Sequence, residues 1–217
     1  MQTFNSMIDL LLHLDKYLGL IVQTYGHFIY PILFLIIFSE TGLVVAPFLP
    51  GDSLLFVTGT FAAAGGMDIN LTLSILIAAA ILGDTINYWI GYYTGQRALH
   101  CKNPQFLNKK HLDRTHEFYE KYGGKTIIIA RFIPVIRTFA PFVAGVGKMN
   151  YRRFIVYNMA GGILWVTLLV LAGYFFGNLS FVKRNLTAFI FLIIVLSIMP
   201  GVIEYLRHFQ TRSSAAE

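Results

Sequence analysis

Hydrophobic positions run along this chain in long blocks, and the way each block is interrupted differs. Residues 1–27 carry Ile8, Leu11, Leu12 and Asp15 at helical spacing and predict an amphipathic surface helix. Residues 28–62 are apolar but broken by PFLPGD at 47–52. Residues 69–96 form an apolar run of 28 positions with Asp84 as its one charge, long enough to span a bilayer with tilt. A polar segment over 97–124 follows, amphipathic around HLDRTHEFYEKY at 111–122. Residues 125–147 repeat the interrupted pattern; 154–182 hold no charge, and 185–203 form a further apolar stretch of 19, so both predict spanning helices. The tail from 207 to 217 is polar and expected to fray.

Composition places this pattern in a membrane. The 217 residues are 56% hydrophobic and 13% charged, with mean hydropathy +0.62, whereas a soluble domain carries roughly a quarter charged residues. The length suits one membrane domain covering 1–217. The first fifteen residues lack a basic n-region and contain Asp9 and Asp15, so no cleavable signal peptide is expected. The lone Cys101 excludes an internal disulfide and is read as a spectator thiol. Placement explains the net charge of +6: no Lys or Arg falls between Tyr17 and Gln96, and then Arg97, Lys102, Lys109, Lys110, Arg114, Lys121 and Lys125 arrive together. A short loop this basic is expected on the cytoplasmic side, which accounts for the charge without nucleic acid as a partner.

The two halves echo each other. HLDK at 13–16 answers HLDR at 111–114, Tyr25-Gly26 answers Tyr122-Gly123, APF at 46–48 answers APF at 140–142, and GYYTG at 91–95 answers GYFFG at 173–177. Internal duplication is the sequence mark of many transporter folds. If the interrupted segments are re-entrant hairpins, only 69–96 crosses between the units and the second repeat is inverted; if they cross fully, the repeats are parallel. Pro47, Pro50 and Gly51 in mid-segment leave half-helices too short to span, which favours hairpins. The expected fold is therefore an all-α polytopic membrane protein. It has two inverted structural repeats (8–96 and 111–177), each an amphipathic helix, a re-entrant helical hairpin and a transmembrane helix. A cytoplasmic basic segment over 97–124 and a C-terminal transmembrane helix over 185–206 complete it.

The interruptions also carry charge: Glu40 and Asp52 in the first, Arg131 and Arg137 in the second. Charge at membrane depth is costly to keep and marks function by default. Pro47 and Pro50, with Pro134 and Pro141, are expected to break the helices there. PGDSL at 50–54 reads as a helix start capped by Asp52 or Ser53, whose free N–H groups suit an anion. A break at Pro134 lets Arg131 and Arg137 converge, and their planar donor forks suit phosphate. The expected substrate-binding residues are Arg131, Arg137, Asp52 and Ser53. Glu40, Asp52 and Asp84 are the expected proton-coupling residues, since burial and a neighbouring arginine act oppositely on a carboxylate's proton. Asp84 either braces the site or relays protons, and a buried ion network that only ties the hairpins together is the structural alternative.

The remaining chemistry is sparse. The six histidines, His13, His27, His100, His111, His116 and His208, fall at interfaces, loops or the tail without HExxH spacing, so no metal and no cofactor is expected. Asp68 reads as a solvated loop residue, and Tyr92, Tyr93, Trp165 and Tyr174 as packing or interface aromatics. No GxSxG, P-loop or GxGxxG occurs, and without a nucleophile–base pair the chain is not expected to be an enzyme.

FxExGLxxxPFLPGDSLL at 38–55, GD at 83–84, ARFxPxxRTFxPFxAG at 130–145 and PGVIE at 200–204 resemble the bacterial DedA family, over almost the whole chain. That family belongs to a broader group with a lipid-scrambling domain found in autophagy-related membrane proteins. The resemblance implies a multi-pass protein of the bacterial inner membrane with paired re-entrant hairpins. It also implies return of undecaprenyl phosphate across the membrane, driven by the proton-motive force, with the family's acidic and arginine positions at Glu40, Asp52, Arg131 and Arg137. The expected function is a flippase of a lipid phosphate, with membrane lipids and protons as further partners and a homo-oligomer left open. A proton-coupled antiporter of small ions and a phospholipid transporter or scramblase are the alternatives, with a lipid-phosphate enzyme and a purely structural role behind them.

Overall fold

The computed structural model describes residues 26–43, 51–100, 124–177 and 179. These residues form a short 3-10 turn at Gly26–Phe28 and six α-helices: α1 (Ile29–Gly42), α2 (Gly51–Ala63), α3 (Ile69–His100), α4 (Lys125–Ala130), α5 (Pro134–Val146) and α6 (Tyr151–Phe176). No strand occurs among them. The expected amphipathic helices at 1–27 and 111–122, the tripeptide at 46–48, Pro47 and Pro50, and the last span at 185–206 lie outside the described residues.

Local chemistry sets most of the boundaries. Pro31 sits in the first turn of α1, where its missing N–H costs nothing. α1 ends as Leu43 turns extended and donates its N–H to the Ser39 carbonyl at 3.0 Å. Asp68 begins α3: its carboxylate accepts from the Leu71 N–H at 2.8 Å, and its own N–H donates to the Tyr30 hydroxyl at 2.9 Å. This exposed aspartate is a helix cap that also ties α3 to α1. Asn150 caps α6 by accepting from the Arg152 N–H at 2.9 Å.

The break between α4 and α5 has a clear cause. Ile133 precedes Pro134 and is held extended, at φ −116° and ψ 103°, because the proline ring excludes the helical region for its predecessor. The chain leaves α4 through tight bonds from the N–H groups of Arg131, Phe132 and Ile133 to carbonyls three residues back. Pro141, expected to break the helix as well, instead lies inside α5.

Length separates the helices into two classes. At 1.5 Å per residue, α1, α2 and α5 are each about 20 Å long and α4 about half that, short of a ~30 Å hydrocarbon core. By contrast, Ile69–Gln96 in α3 and Tyr151–Phe176 in α6 are long and apolar enough to cross. Both long helices turn large apolar side chains outward, among them Leu82, Ile86, Ile163 and Leu168. Polar residues point the other way: Glu40, Asp84, Asn87, Arg131, Arg137, Thr138 and Asn158 are all buried. This inside-out distribution belongs in lipid, where exposed apolar surface carries no penalty.

The packing is reciprocal. α2 lies chiefly on α6 and α5 chiefly on α3, while α1 packs on α3, α4 on α6, and α3 meets α6 between them. The crossings of α2 on α6 and of α5 on α3 each use a glycine pair. A Cβ at Gly59 would overlap the Val170 carbonyl, and one at Gly173 the Phe56 carbonyl. In the other crossing, Gly145 meets the Tyr88 carbonyl and Gly91 the Phe142 carbonyl in the same way. The GYYTG and GYFFG segments thus do equivalent work. The APF match shifts, however: the crossings set Phe142 in the part played by Phe56, eight positions beyond the Phe48 with which the tripeptide pairs it. Backbone contact between helices fixes register through the glycines, and a three-letter match does not.

Candidate functional site

The charged groups meet where the ends of the short helices face the middles of the long ones. Glu40 lies in the last turn of α1, Asp52 and Ser53 in the first turn of α2, Asp84 in mid-α3, Arg131 in the α4–α5 break, and Arg137 in the first turn of α5. α6 adds Asn158 and Trp165.

Two ion-pair centres result. In the first, Arg137 donates through Nη2 to Glu40 Oε1 at 2.5 Å and through Nη1 to Asp52 Oδ1 at 2.6 Å. One guanidinium therefore joins α5 to both α1 and α2, using the planar fork that suits paired oxygens. The Glu40 carboxylate also lies against Gly51, where a Cβ would collide with it, so glycine opens the first residue of α2 to this approach. The helix N-terminus expected to receive a substrate anion holds the protein's own carboxylates in this conformation.

In the second centre, Arg131 donates through Nη2 to both Asp84 of α3 and Asn158 of α6. The Asn158 amide in turn donates to the Ile81 carbonyl at 3.1 Å and the Thr85 hydroxyl at 3.4 Å. Arg131 rests against Gly161 and Gly162, whose lack of side chains leaves room for it on α6. Asn87 makes a parallel tie, donating to the Thr41 carbonyl of α1 at 3.1 Å and the Thr138 carbonyl of α5 at 2.7 Å.

Trp165 links the centres. Its indole N–H donates to Asp52 Oδ1 at 3.0 Å, and the guanidinium carbons of Arg137 and Arg131 lie over its ring at 4.4 Å and 5.9 Å from the centroid. The two arginines do converge, around a tryptophan, but each keeps its own carboxylate set. Arg131 pairs with Asp84 and Asn158 rather than with Glu40 or Asp52.

The cluster is closed over. Glu40, Asp84, Arg131 and Arg137 expose 4% or less of their surface, while the Asp52 side chain exposes 17%. Asp52 is thus the edge through which the rest meets its surroundings. Among the described residues three carboxylates face two guanidiniums, one negative charge in excess when all are ionised. Burial penalises such an excess, and one bound proton removes it. Arg131 Nε and Nη1, Arg137 Nε and Asp84 Oδ1 are buried with no hydrogen-bond partner among the described residues. Ser53 is buried beside Asp52.

Elsewhere, Tyr92 and Tyr174 are partly buried and Tyr93 is exposed, as interface aromatics are. Trp165 is not of that kind, being 2% exposed inside the charged site. Sequence reasoning missed it, along with Asn158 and the Gly161–Gly162 seat. An amide early in the charge-free run from 154 to 182 was the available signal for Asn158; a tryptophan in an apolar helix offers none. An open pocket of about 230 Å³, lined by His27, Tyr30, Met67 and Asp68 among others, lies beside the α2–α3 turn and shares no residue with the two ion-pair centres. Among the described residues no three His, Cys, Asp or Glu side chains gather as a metal site.

Comparison with known proteins agrees with this setting. The VTT domain family matches residues 49–175, more than half of the chain. Protein DedA of Escherichia coli is 52% identical over 213 residues, covering 97% of each chain. An uncharacterized membrane protein of Mycobacterium leprae is 40% identical over 86% of this chain and 84% of its own length. Inner membrane protein YqjA of Escherichia coli is 37% identical over 69% and 68%. No solved structure matches.

Proposed function

The chain belongs to the DedA family of VTT-domain membrane proteins, and on that premise we propose that it is a proton-coupled transporter of a lipid phosphate. The cargo in this reading is undecaprenyl phosphate, returned across a bacterial inner membrane for reuse in envelope synthesis. One observation carries it: a buried arginine, Arg137, holds two carboxylates, in a cluster whose described residues are one proton short of neutrality.

The mechanism follows from exchange at Arg137. A phosphate oxygen arriving past Asp52, the most exposed of the charged groups, competes for the guanidinium that Glu40 and Asp52 occupy. Among the described residues the other guanidinium of the cluster, Arg131, is already engaged with Asp84, so a Glu40 carboxylate displaced from Arg137 takes a proton and leaves the cluster's charge unchanged. On the far side the proton departs, the carboxylate reclaims Arg137, and the phosphate is expelled. Only the headgroup needs to enter; the polyprenyl chain stays in lipid. Asp84 with Arg131 braces the two long helices, since Arg131 joins Asp84 of α3 to Asn158 of α6 with no exposed edge.

The architecture supporting this cycle is a pair of inverted repeats with re-entrant hairpins, α1–α2 and α4–α5, each short of a full crossing. The reciprocal packing of α2 on α6 and α5 on α3 supports such an arrangement. The test is translocation of a fluorescent polyprenyl phosphate in proteoliposomes under an imposed pH gradient. Wild-type protein is expected to translocate it, and Arg137→Ala to lose it; undiminished translocation by that variant defeats the assignment. A phospholipid scramblase or small-ion antiporter is favoured instead if Glu40→Gln loses pH-driven ion flux while lipid phosphate still moves.

A further inference from the structure

Trp165, one of two tryptophans in the chain, occupies an unusual position for a residue in an apolar helix. Its N–H is directed at Asp52 Oδ1, the same oxygen that accepts from Arg137 Nη1. One carboxylate oxygen therefore receives two donors, an indole N–H at 3.0 Å and a guanidinium N–H at 2.6 Å. The same guanidinium lies over the indole ring at 4.4 Å. If Asp52 withdraws, Arg137 keeps the ring face beneath it, but both donors are left pointing at an empty acceptor position inside a buried site. An unmet N–H there is costly, and a new anionic oxygen removes the cost.

We infer that Trp165 is a substrate-binding and positioning residue. Its N–H and Arg137 Nη1 form a two-donor seat for one oxygen of a phosphate monoester, in the place that Asp52 Oδ1 holds in the closed state. The ring keeps the Arg137 fork aimed at that seat. Asp52 is then both the gate and the stand-in for the ligand. This inference rests on the lipid-phosphate reading and adds to it a recognition residue on the second long helix.

The experiment combines transport with a readout belonging to Trp165 itself. Trp89→Phe removes the other tryptophan, which lies in an aromatic cluster with Tyr88, Tyr92 and Tyr151 away from the charges. In that background, farnesyl phosphate added to detergent-solubilised protein is expected to shift Trp165 emission saturably, farnesol is not, and Arg137→Ala is expected to abolish the response. In proteoliposomes, Trp165→Phe keeps a ring and loses the N–H. It is expected to raise the half-saturating lipid phosphate concentration about tenfold, the scale of one hydrogen bond to a charged group, with a smaller change in maximal rate. If Arg137→Ala abolishes transport while Trp165→Phe matches wild type and Trp165 emission ignores farnesyl phosphate, the inference is wrong and the transport reading stands. Normal transport by Arg137→Ala removes both.

Discussion

Arg131 and Arg137 lie on either side of Pro134, both almost wholly buried, yet their surroundings differ in kind. Arg137 joins three short elements, binding Glu40 of α1 and Asp52 of α2 from its place on α5. Arg131 joins the two long helices, binding Asp84 of α3 and Asn158 of α6 from the break between α4 and α5. The first centre reaches its surroundings through Asp52; the second is sealed and seated on a glycine pair. In the proposed cycle the sealed centre is the brace, and the centre bound to short helix ends with an exposed edge is the exchange point. The same residue type serves both because the partner elements, not the guanidinium, set the role.

Unequal effects of matched substitutions are the direct way to break that distinction. Arg131→Ala should be the most destabilising single change, lowering stability by about 3–5 kcal/mol because it strands Asp84 in the interior. Arg137→Ala should lose transport with a smaller fall in the thermal midpoint, since Asp52 at its edge is partly exposed and lets water reach the stranded Glu40. Unfolding of both variants in one detergent checks this, and equal midpoints would erase the contrast. Replacing Arg131 and Asp84 together by Met and Leu should recover most of the lost stability, whereas Arg137→Met with Glu40→Leu should leave transport dead.

The glycine crossings give a second comparison. Gly59→Ala and Gly145→Ala both force a methyl onto a facing backbone, and each should cost about 1–3 kcal/mol. Similar losses support two equivalent halves; a large cost at one and none at the other argues against them. Gly42→Ala, where the facing Gly83 leaves 3.3 Å, should cost less. The smallest effect belongs to Asp68→Ala, which removes the α3 cap at about 1 kcal/mol and should leave the rate of lipid translocation unchanged.

Periodicity exposed the long helices because an apolar run of 28 residues has few other uses, and the charged interruptions stood out because such groups are expensive in lipid. The break at Pro134 was legible for a local reason, the steric effect of the ring on Ile133. Pro141 was misread because a proline in a helix is tolerated when neighbouring helices support it, and α3 packs along α5 there. The duplicated GYYTG and GYFFG segments were visible, while the register of the shorter match was not.

The sequence alone determined that this chain is a helical membrane protein and that Glu40, Asp52, Asp84, Arg131 and Arg137 are its costly groups. Those conclusions depend on composition and spacing, which act along the chain. Only the tertiary structure decided which acid meets which arginine, that Trp165 stands between them, and that the helix end meant for an anion is filled by Glu40 and Asp52. Pairing depends on which helix faces cross. Here those crossings are set by glycines in segments far apart in the chain, where no local pattern records the contact.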